Sequence, residues 1–398
     1  MNHIIKVLFL GGAYAQIPII REAKQRGIYI ITCDYLPNNP GHQLADEYYN
    51  ISTTDVEKVL QLAKDKQVDF VFAYASDPAA PVASYVSEKL GLPGNSFKSV
   101  QTLSEKDLFR QFLEQNGFNA PKSISISEND DIEKVVSQLT FPIVVKPTDS
   151  CGSKGVSKLT SMKMAKEAIA YAMSFSRNKR LIAEEFIESN GEQFHGDGFV
   201  VDGKLVFSYI GDHHYNVSVN QFVPYSTTWP SAKSAHDVER VEKEVAKIIE
   251  LVGFSNGPIN IEARIDIHNK VYIMEIGARS GGNFVPQVIN YTSGFDMVKA
   301  SVDLFLGTPV IVPSLPKKCG AYFVVHTDKN GTLQSLTISE KLKTFIKEFH
   351  QYVQAGGKVN SFQGANAAIG VLLLTFDSQQ QMHDVINNMN QYIDISIE

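Results

Sequence analysis

The chain has 398 residues, of which 43% are hydrophobic and 20% charged, and its formal net charge at pH 7 is −6. This length predicts two to four domains, and the composition is that of a globular protein with enough apolar material for several cores. The chain has a net negative charge and no run of basic residues. Both features argue against nucleic acid or an anionic membrane as the main partner.

The cysteines and the N-terminal residues indicate the compartment. Cys33, Cys151 and Cys319 are scattered and odd in number, so we predict no disulfide framework and no metal-type spacing. The N-terminal residues run straight into a strand pattern and show no apolar core with a small-residue cleavage site. No apolar run approaches the roughly 18 residues that span a bilayer. We therefore expect a cytoplasmic protein that is not inserted in a membrane.

Strand and helix patterns alternate through the first hundred residues. An apolar run ends at Gly11-Gly12, which is typical of a buried parallel strand that enters a helix. In this part we predict strands over 4–10, 28–34 and 70–73, and helices over 17–26, 56–66 and 79–90. The alternation predicts a doubly wound α/β domain over residues 1–103.

The rest of the chain mixes helices with strands that read as antiparallel. We predict helices over 105–115, 132–138, 162–175 and 238–251, strands over 123–126, 142–146 and 181–187, antiparallel strands from 192 to about 223, and a hairpin over 259–276. Pro309 and the segment from Pro313 to Pro316 mark a boundary before an α+β tail. The predicted domains are therefore 104–189, 190–310 and 311–398.

The hairpin carries the most informative pattern. Its first strand alternates isoleucines at 259, 261, 265 and 267 with Asn260, Glu262, Arg264 and Asp266. A tight turn centred on His268-Asn269 places Glu262 directly opposite Glu275. Opposed residues have Cβ atoms about 4.5–5.5 Å apart, where two carboxylates need a cation or a shared proton. Mg²⁺ suits such a site, whereas a solvated polar face with Arg264 as counter-charge is the alternative explanation.

Three further segments could meet phosphate or a carboxylate. Arg279 lies in the glycine-containing stretch 277–283, where its planar guanidinium suits a carboxylate or phosphate, although a purely structural arginine would fit as well. Lys146 ends an apolar strand beside the small-residue loop 149–155, whose amides could join it on phosphate oxygens. Lys106 opens a helix, and as a lone residue it would be interpreted as a surface charge. The strand that ends at 184–187 could present its backbone to a purine edge.

With these elements in this order, the chain resembles the ATP-grasp superfamily over about residues 1 to 310. The resemblance implies an α/β protein with the ATP-grasp fold: an N-terminal doubly wound domain, two α+β lobes that clasp ATP, and a small C-terminal α+β module. It implies phosphate contacts from Lys106, Lys146, Ser153 and Gly155, adenine contacts from Glu184, Glu185 and Ile187, and a ribose contact from Glu192. It also implies Glu262 and Glu275 as ligands of Mg²⁺ (or Mn²⁺), and Arg279 as the catalytic residue that steadies an acyl phosphate.

The chain departs from the superfamily pattern at one metal ligand. Many members carry Asn two residues after the second glutamate, and this chain has Gly277 there. The predicted register places Asn260 across from Gly277, so Asn260 could supply an amide oxygen from the facing strand. Asn283 is the other candidate.

The resemblance implies an ATP-dependent ligase that joins a small carboxylate to an amine or ammonia through an acyl phosphate. The C-terminal module and the segment 275–282 look similar to amino-acid ligases and to carbamoyl-phosphate-synthetase-like enzymes, and a homodimer is plausible for this family. A biotin-carboxylase-like enzyme and a non-catalytic ATP-binding module are the alternatives. A nicotinamide oxidoreductase is disfavoured because Gly11-Gly12 lacks the G-x-G-x-x-G spacing.

Several other residues have open roles at this stage. Asp77 could face the cleft, or Ser76 or Asp77 could cap a helix. Cys151 lacks a His or Asp partner that the sequence would place beside it, so we interpret it as a small loop residue and not as a nucleophile. His213 and His214 are neighbours on a strand and should point to opposite faces, so a shared metal pair is disfavoured.

Overall fold

The computed structural model describes residues 3–216, 220–314 and 318–398. The predicted boundary at Pro316 lies outside them. The strands in chain order are β1 (Lys6–Leu10), β2 (Tyr29–Cys33), β3 (Glu47–Tyr49), β4 (Phe70–Phe72), β5 (Ser123–Ser127), β6 (Ile143–Pro147), β7 (Ser157–Leu159), β8 (Arg180–Glu185), β9 (Gln193–Val201), β10 (Lys204–Asn216), β11 (Asn220–Trp229), β12 (Gly257–Ile265), β13 (Val271–Gly277), β14 (Cys319–Val325), β15 (Gly331–Ile338), β16 (Ile346–Gln351), β17 (Lys358–Val359), β18 (Gly370–Phe376) and β19 (Ile393–Ile397).

The α-helices surround these strands and follow the predicted periodicity in most places. In chain order they are α1 (Ile17–Gln25), α2 (Val56–Lys66), α3 (Ala80–Leu90), α4 (Phe97–Ser104), α5 (Lys106–Gln115), α6 (Ile132–Val136), α7 (Ala165–Phe175), α8 (Ala235–Val252), α9 (Val285–Ser293), α10 (Met297–Phe305), α11 (Glu340–Lys343) and α12 (Gln379–Asn387). Among the described residues, no helix is both long and apolar enough to cross a membrane.

The N-terminal sheet is parallel, in the order β3-β2-β1-β4, as the strand–helix alternation predicts. Residues of β1 alternate between two cores: Leu8 packs with α2 and α3, and Phe9 packs with α1 and α10. Helix α10 comes from the far part of the chain, and Arg26 on α1 bonds Asp303 on α10 at 2.5 Å. The sheet is therefore doubly wound, but one of its covering helices is distant in sequence.

The other sheets are antiparallel. One has the order β5-β8-β6-β7 and packs on α6 and α7. An eight-stranded sheet follows the order β13-β12-β9-β10-β11-β14-β18-β16, and a small sheet joins β17, β15 and β19. The large sheet therefore continues across the predicted domain limit between 310 and 311. The domain limits remain predictions.

Local differences from the predicted elements have simple causes. Helix α4 was not predicted, although Ser96 caps it by accepting a hydrogen bond from the Ser99 amide at 3.2 Å. Of the two roles left open for Asp77, the helix cap by Ser76 or Asp77 is wrong, because α3 begins after Ala79, which makes no side-chain cap bond. The predicted alternation of isoleucines does not extend to Ile267, which lies in the turn after β12 and is 59% exposed.

Candidate active site

A cavity of about 280 Å³ is lined by residues from the four-stranded antiparallel sheet, from the eight-stranded sheet, from α5 and from the loop after β4. Most of the residues implied by the resemblance line it: Lys106, Lys146, Ser153, Glu184, Glu185, Ile187, Asn260, Glu262, Glu275 and Arg279. Gly155 and Glu192 do not. Side chains that are distant in sequence therefore meet in one place.

Lys106 and Lys146 bring positive charge into this cavity from two different elements. The Lys106 ammonium donates to the Ser150 carbonyl at 2.9 Å and lies 3.3 Å from a Glu275 carboxylate oxygen. Burial lowers the pKa of Lys106, but the charges of Glu275 and Asp77 outweigh burial and raise it overall. Burial lowers the pKa of Lys146, although its ammonium donates to Glu184.

Glu184 is a buried anchor, 3% exposed, at the end of β8. One carboxylate oxygen accepts from Lys146, and the other accepts from the Arg110 Nε at 3.0 Å. Burial raises the pKa of Glu184, but Arg110 and Lys146 overcome burial and lower it to about 2. This carboxylate stays ionised, and it orients the lysine.

The hairpin places Glu262 directly opposite Glu275, and Asn260 opposite Gly277, as predicted. Gln193 donates to Glu262 at 2.7 Å. Burial and the neighbouring Glu275 raise the pKa of Glu262 to about 7. Two carboxylates that repel each other beside Lys106 have the chemistry of a divalent-cation site.

A β-bulge at Met274 shapes the cavity side of β13. Ala263 pairs with Ile273 and Glu262 pairs with Glu275, so Met274 is the extra residue. Consecutive residues of a regular strand point to opposite faces, yet Met274 and Glu275 both line the cavity. The bulge thus places an apolar side chain and a carboxylate next to each other on one wall.

Asn260 is 6% exposed and is held by its amide nitrogen. Its Nδ2 donates to Asp197 at 2.7 Å and to His195 Nε2 at 2.9 Å. These acceptors fix which way the amide points. Its oxygen accepts none of the hydrogen bonds found for this side chain among the described residues, so it is available to a metal.

The geometry around Gly277 explains the departure from the superfamily pattern. A Cβ at position 277 would lie 3.2 Å from the Arg279 guanidinium carbon and 3.2 Å from an Asp77 oxygen. Arg279 holds Asp77 through two hydrogen bonds of 2.6 Å. A side chain at 277 would crowd this ion pair, which also settles that Asp77 faces the cavity.

The small-residue loop closes over the cavity. Ser153 has a left-handed φ of 59°, and its hydroxyl donates to the Phe222 carbonyl at 2.5 Å. Gly155 has a φ of 73° and packs so closely on Pro147 that a Cβ would lie 2.9 Å from the ring. Its observed contact is therefore structural. Cys151 lines the cavity, where burial raises the pKa of its thiol, which disfavours a nucleophilic thiolate.

The adenine and ribose predictions concern the neighbouring strand end. Thr140 donates its amide to the Glu185 side chain at 2.8 Å, and Arg264 donates to the Ile187 carbonyl at 3.2 Å. Arg264 thus turns toward Ile187 and Gln193 and makes no ion pair with the two glutamates among the described residues. Glu192 is exposed. The roles of Glu185, Ile187 and Glu192 remain predictions.

Comparison with known families decides the identity of this arrangement. Residues 139–287 match the family model of the ATP-grasp domain. The chain therefore contains an ATP-grasp domain over this segment. The matched segment contains the small-residue loop 149–155, both facing glutamates and Arg279.

Relatives and solved structures of ATP-grasp proteins resemble much of the chain. The carbamoyl phosphate synthase large chain of Caldanaerobacter subterraneus subsp. tengcongensis is 24% identical over 307 residues, which are 74% of this chain but only 27% of that relative. The structure of an L-amino acid ligase from Bacillus licheniformis has a TM-score of 0.82 and 19% identity, with all of both chains covered. A phosphoribosylglycinamide synthetase from Anaerococcus prevotii has a TM-score of 0.78 and 22% identity, again over both whole chains.

Sequence reasoning missed several residues of this ATP-grasp site. His195 lines the cavity and stacks on His213, with ring centroids 3.8 Å apart. Burial lowers the pKa of His195 to about 3, so this imidazole is neutral. Strand alternation with Gln193 could have indicated His195. His214 instead points to the other face of the strand and forms a hydrogen bond with Thr228 at 2.9 Å. The two neighbouring histidines therefore point to opposite faces, as predicted.

The described residues fit a site in which Mg²⁺ is bound partly by protein carboxylates and partly by the phosphates of ATP. Among them, no group of three or more His, Cys, Asp or Glu residues could hold a metal. Mg²⁺ is usually bound by one or two carboxylates together with substrate phosphates, so Glu262 and Glu275 suffice.

Proposed function

We propose that the chain is an ATP- and Mg²⁺-dependent ligase that activates a small carboxylate as an acyl phosphate and joins it to an amine or ammonia. One observation carries the proposal: a facing carboxylate pair, with Lys106 3.3 Å from one member, lies in the same cavity as Lys146 and Arg279. The names of the structural neighbours, an L-amino acid ligase and a phosphoribosylglycinamide synthetase, support a ligase.

The first step transfers the terminal phosphoryl group of ATP. A carboxylate oxygen of the substrate bonds to that phosphorus, and the bond to the ADP oxygen breaks. Lys106 and Lys146 would neutralise negative charge on the transferring group, and the loop amides near Ser153 would add donors. Mg²⁺, held by Glu262 and Glu275, would supply Lewis-acid stabilisation of the phosphate oxygens.

The second step forms the amide. The amine nitrogen bonds to the acyl carbon, inorganic phosphate leaves, and one amine proton is released. Arg279 would steady the oxyanion, and its two bonds to Asp77 hold the guanidinium in place for this. No side chain of the protein has to act as a nucleophile.

A carboxylase that uses bicarbonate is the second candidate. The biotin carboxylase domain of a 2-oxoglutarate carboxylase from Hydrogenobacter thermophilus, solved with MgADP and bicarbonate, covers this whole chain with a TM-score of 0.75. Bicarbonate would then be the carboxylate that is activated.

A cytoplasmic location and a homodimer are also part of the proposal.

An ADP-release screen tests the proposal. Carboxylic acids and bicarbonate are crossed with amino acids, ammonia and biotin, in the presence of ATP with Mg²⁺ or Mn²⁺. We expect ADP release that needs one carboxylate together with one amine, and we expect Glu275→Gln to abolish it. Release with bicarbonate and biotin alone would favour the carboxylase. Tight ATP binding with no release from any pair would indicate a non-catalytic module.

A further inference from the structure

Arg110 is a buried charge that the reaction above does not use. It lies four residues after Lys106, on the same face of α5, and is 1% exposed. It is absent from the cavity lining, so it cannot touch a substrate there. A buried guanidinium is costly unless its hydrogen bonds are met, which directs attention to its partners.

Those partners belong to the two halves of the active site. The Arg110 Nε donates to Glu184 at 3.0 Å, and the other oxygen of Glu184 accepts from Lys146. The Arg110 Nη1 donates to the Met274 carbonyl at 2.9 Å. One planar side chain therefore links Lys146, through Glu184, to the hairpin of β12 and β13.

The Met274 contact is significant because Met274 is the bulge residue. The strand pairing resumes on either side of it, at Ile273 and at Glu275. The bulge is what brings Glu275 opposite Glu262 while Met274 also faces the cavity. A donor on the Met274 carbonyl therefore secures the carboxylate pair itself.

We propose that Arg110 is a positioning residue that fixes Lys146 relative to the carboxylate pair, through Glu184 on one side and the Met274 carbonyl on the other. The inference rests on the proposed ATP and Mg²⁺ site. In this role Arg110 keeps Lys146, which would contact phosphate, at a fixed distance from Glu262 and Glu275, which would hold Mg²⁺. ATP binding and Mg²⁺ binding would therefore strengthen each other.

The test measures the dissociation constant of ATP by calorimetry, once in EDTA and once in saturating Mg²⁺. The ratio of the two constants is the magnesium benefit. Arg110→Lys keeps a charge for Glu184 but cannot also reach the carbonyl with a second fork nitrogen. We expect its ATP affinity in EDTA to stay within about threefold of wild type and its magnesium benefit to fall about tenfold, the size of one lost charged hydrogen bond.

Two further variants separate positioning from folding. Glu184→Gln weakens the other arm of the link, because Glu184 accepts from both Lys146 and Arg110, so it should lower the magnesium benefit and also weaken ATP binding in EDTA. Arg26→Lys is the matched control, because Arg26 also joins two distant elements through Asp303, away from the cavity. It should lower the melting temperature and leave both constants unchanged.

The outcomes are distinguishable. A folded Arg110→Lys protein with the wild-type magnesium benefit would overturn the inference and leave the proposed function standing. An equal loss of benefit in Arg26→Lys would also overturn it, because the effect would then be one of general stability. A wild-type chain without measurable ATP affinity would overturn the proposed function, and this inference with it.

Discussion

Glu262 and Glu275 are charged residues placed where like charges repel, and this has a consequence for stability in the absence of metal. Burial and Glu275 raise the pKa of Glu262 to about 7, against an ordinary value of 4.5. Between these two pH values the unfolded chain has lost a proton that the folded chain keeps. The free energy of unfolding therefore falls as the pH rises from about 4.5 to 7.

Glu262→Gln should remove this pH-dependent penalty. In EDTA at pH 8 we expect the variant to be more stable than wild type by about 1–2 kcal/mol, a discounted value for a half-buried group, and at pH 4.5 we expect no difference. Urea denaturation at both pH values measures this. Glu239→Gln, on the surface of α8, is the control and should change little at either pH. A constant difference across pH would contradict the argument.

The proposal of a third metal ligand can also be tested one residue at a time. Asn260 is held by Asp197 and His195 so that its oxygen is available, whereas Asn283 lines the same cavity from the glycine-containing loop. We expect Asn260→Ala to raise the Mg²⁺ concentration needed for half-maximal ADP release about tenfold or more. Asn283→Ala, the matched control, should leave it unchanged. An unchanged Mg²⁺ requirement in Asn260→Ala would exclude Asn260 as a ligand.

At the scale of elements, the hairpin shows how far a sequence pattern reaches. Periodicity predicts both strands and the opposition of Glu262 and Glu275. The predicted two-residue turn is wrong: Asp266 accepts from the amides of His268 and Lys270, and Asn269 has a φ of 63°. This longer turn shifts the pairing by one residue, and the bulge shifts it back.

The prediction of the facing glutamates was therefore right although one step behind it was wrong. The bulge carbonyl bonds Arg110, which lies 164 residues earlier in the chain. No local propensity encodes such a contact, so single-sequence reasoning could not place the bulge. The same limit explains why Gln193 and His195 were missed as cavity residues: their strand was predicted, but not which strands would flank it.

For the whole molecule, the sheets decide which parts of the chain are independent. The proline-containing segment near 309–316 predicts a separate module after residue 310. In the structure, β14 pairs with β11, and β18 and β16 follow in the same sheet. Tyr322 and Ala365 from this part also line the active-site cavity. A proline-containing segment indicates where the chain leaves regular secondary structure. It does not show whether the strands that follow join the same sheet as the strands before it.

A chain that ends at residue 310 should therefore fail to fold. It would leave the β11 edge unpaired, and it would uncover a core in which Trp229 and Val288 pack with Tyr322, Val324 and Leu373. Losing several such side chains costs about 1.5–3 kcal/mol each, which exceeds the usual stability of a domain. We expect residues 1–310 to lack a cooperative thermal transition, while residues 1–398 show one. A truncated chain that melts cooperatively near the full-length temperature would show that the C-terminal part is an accessory module after all.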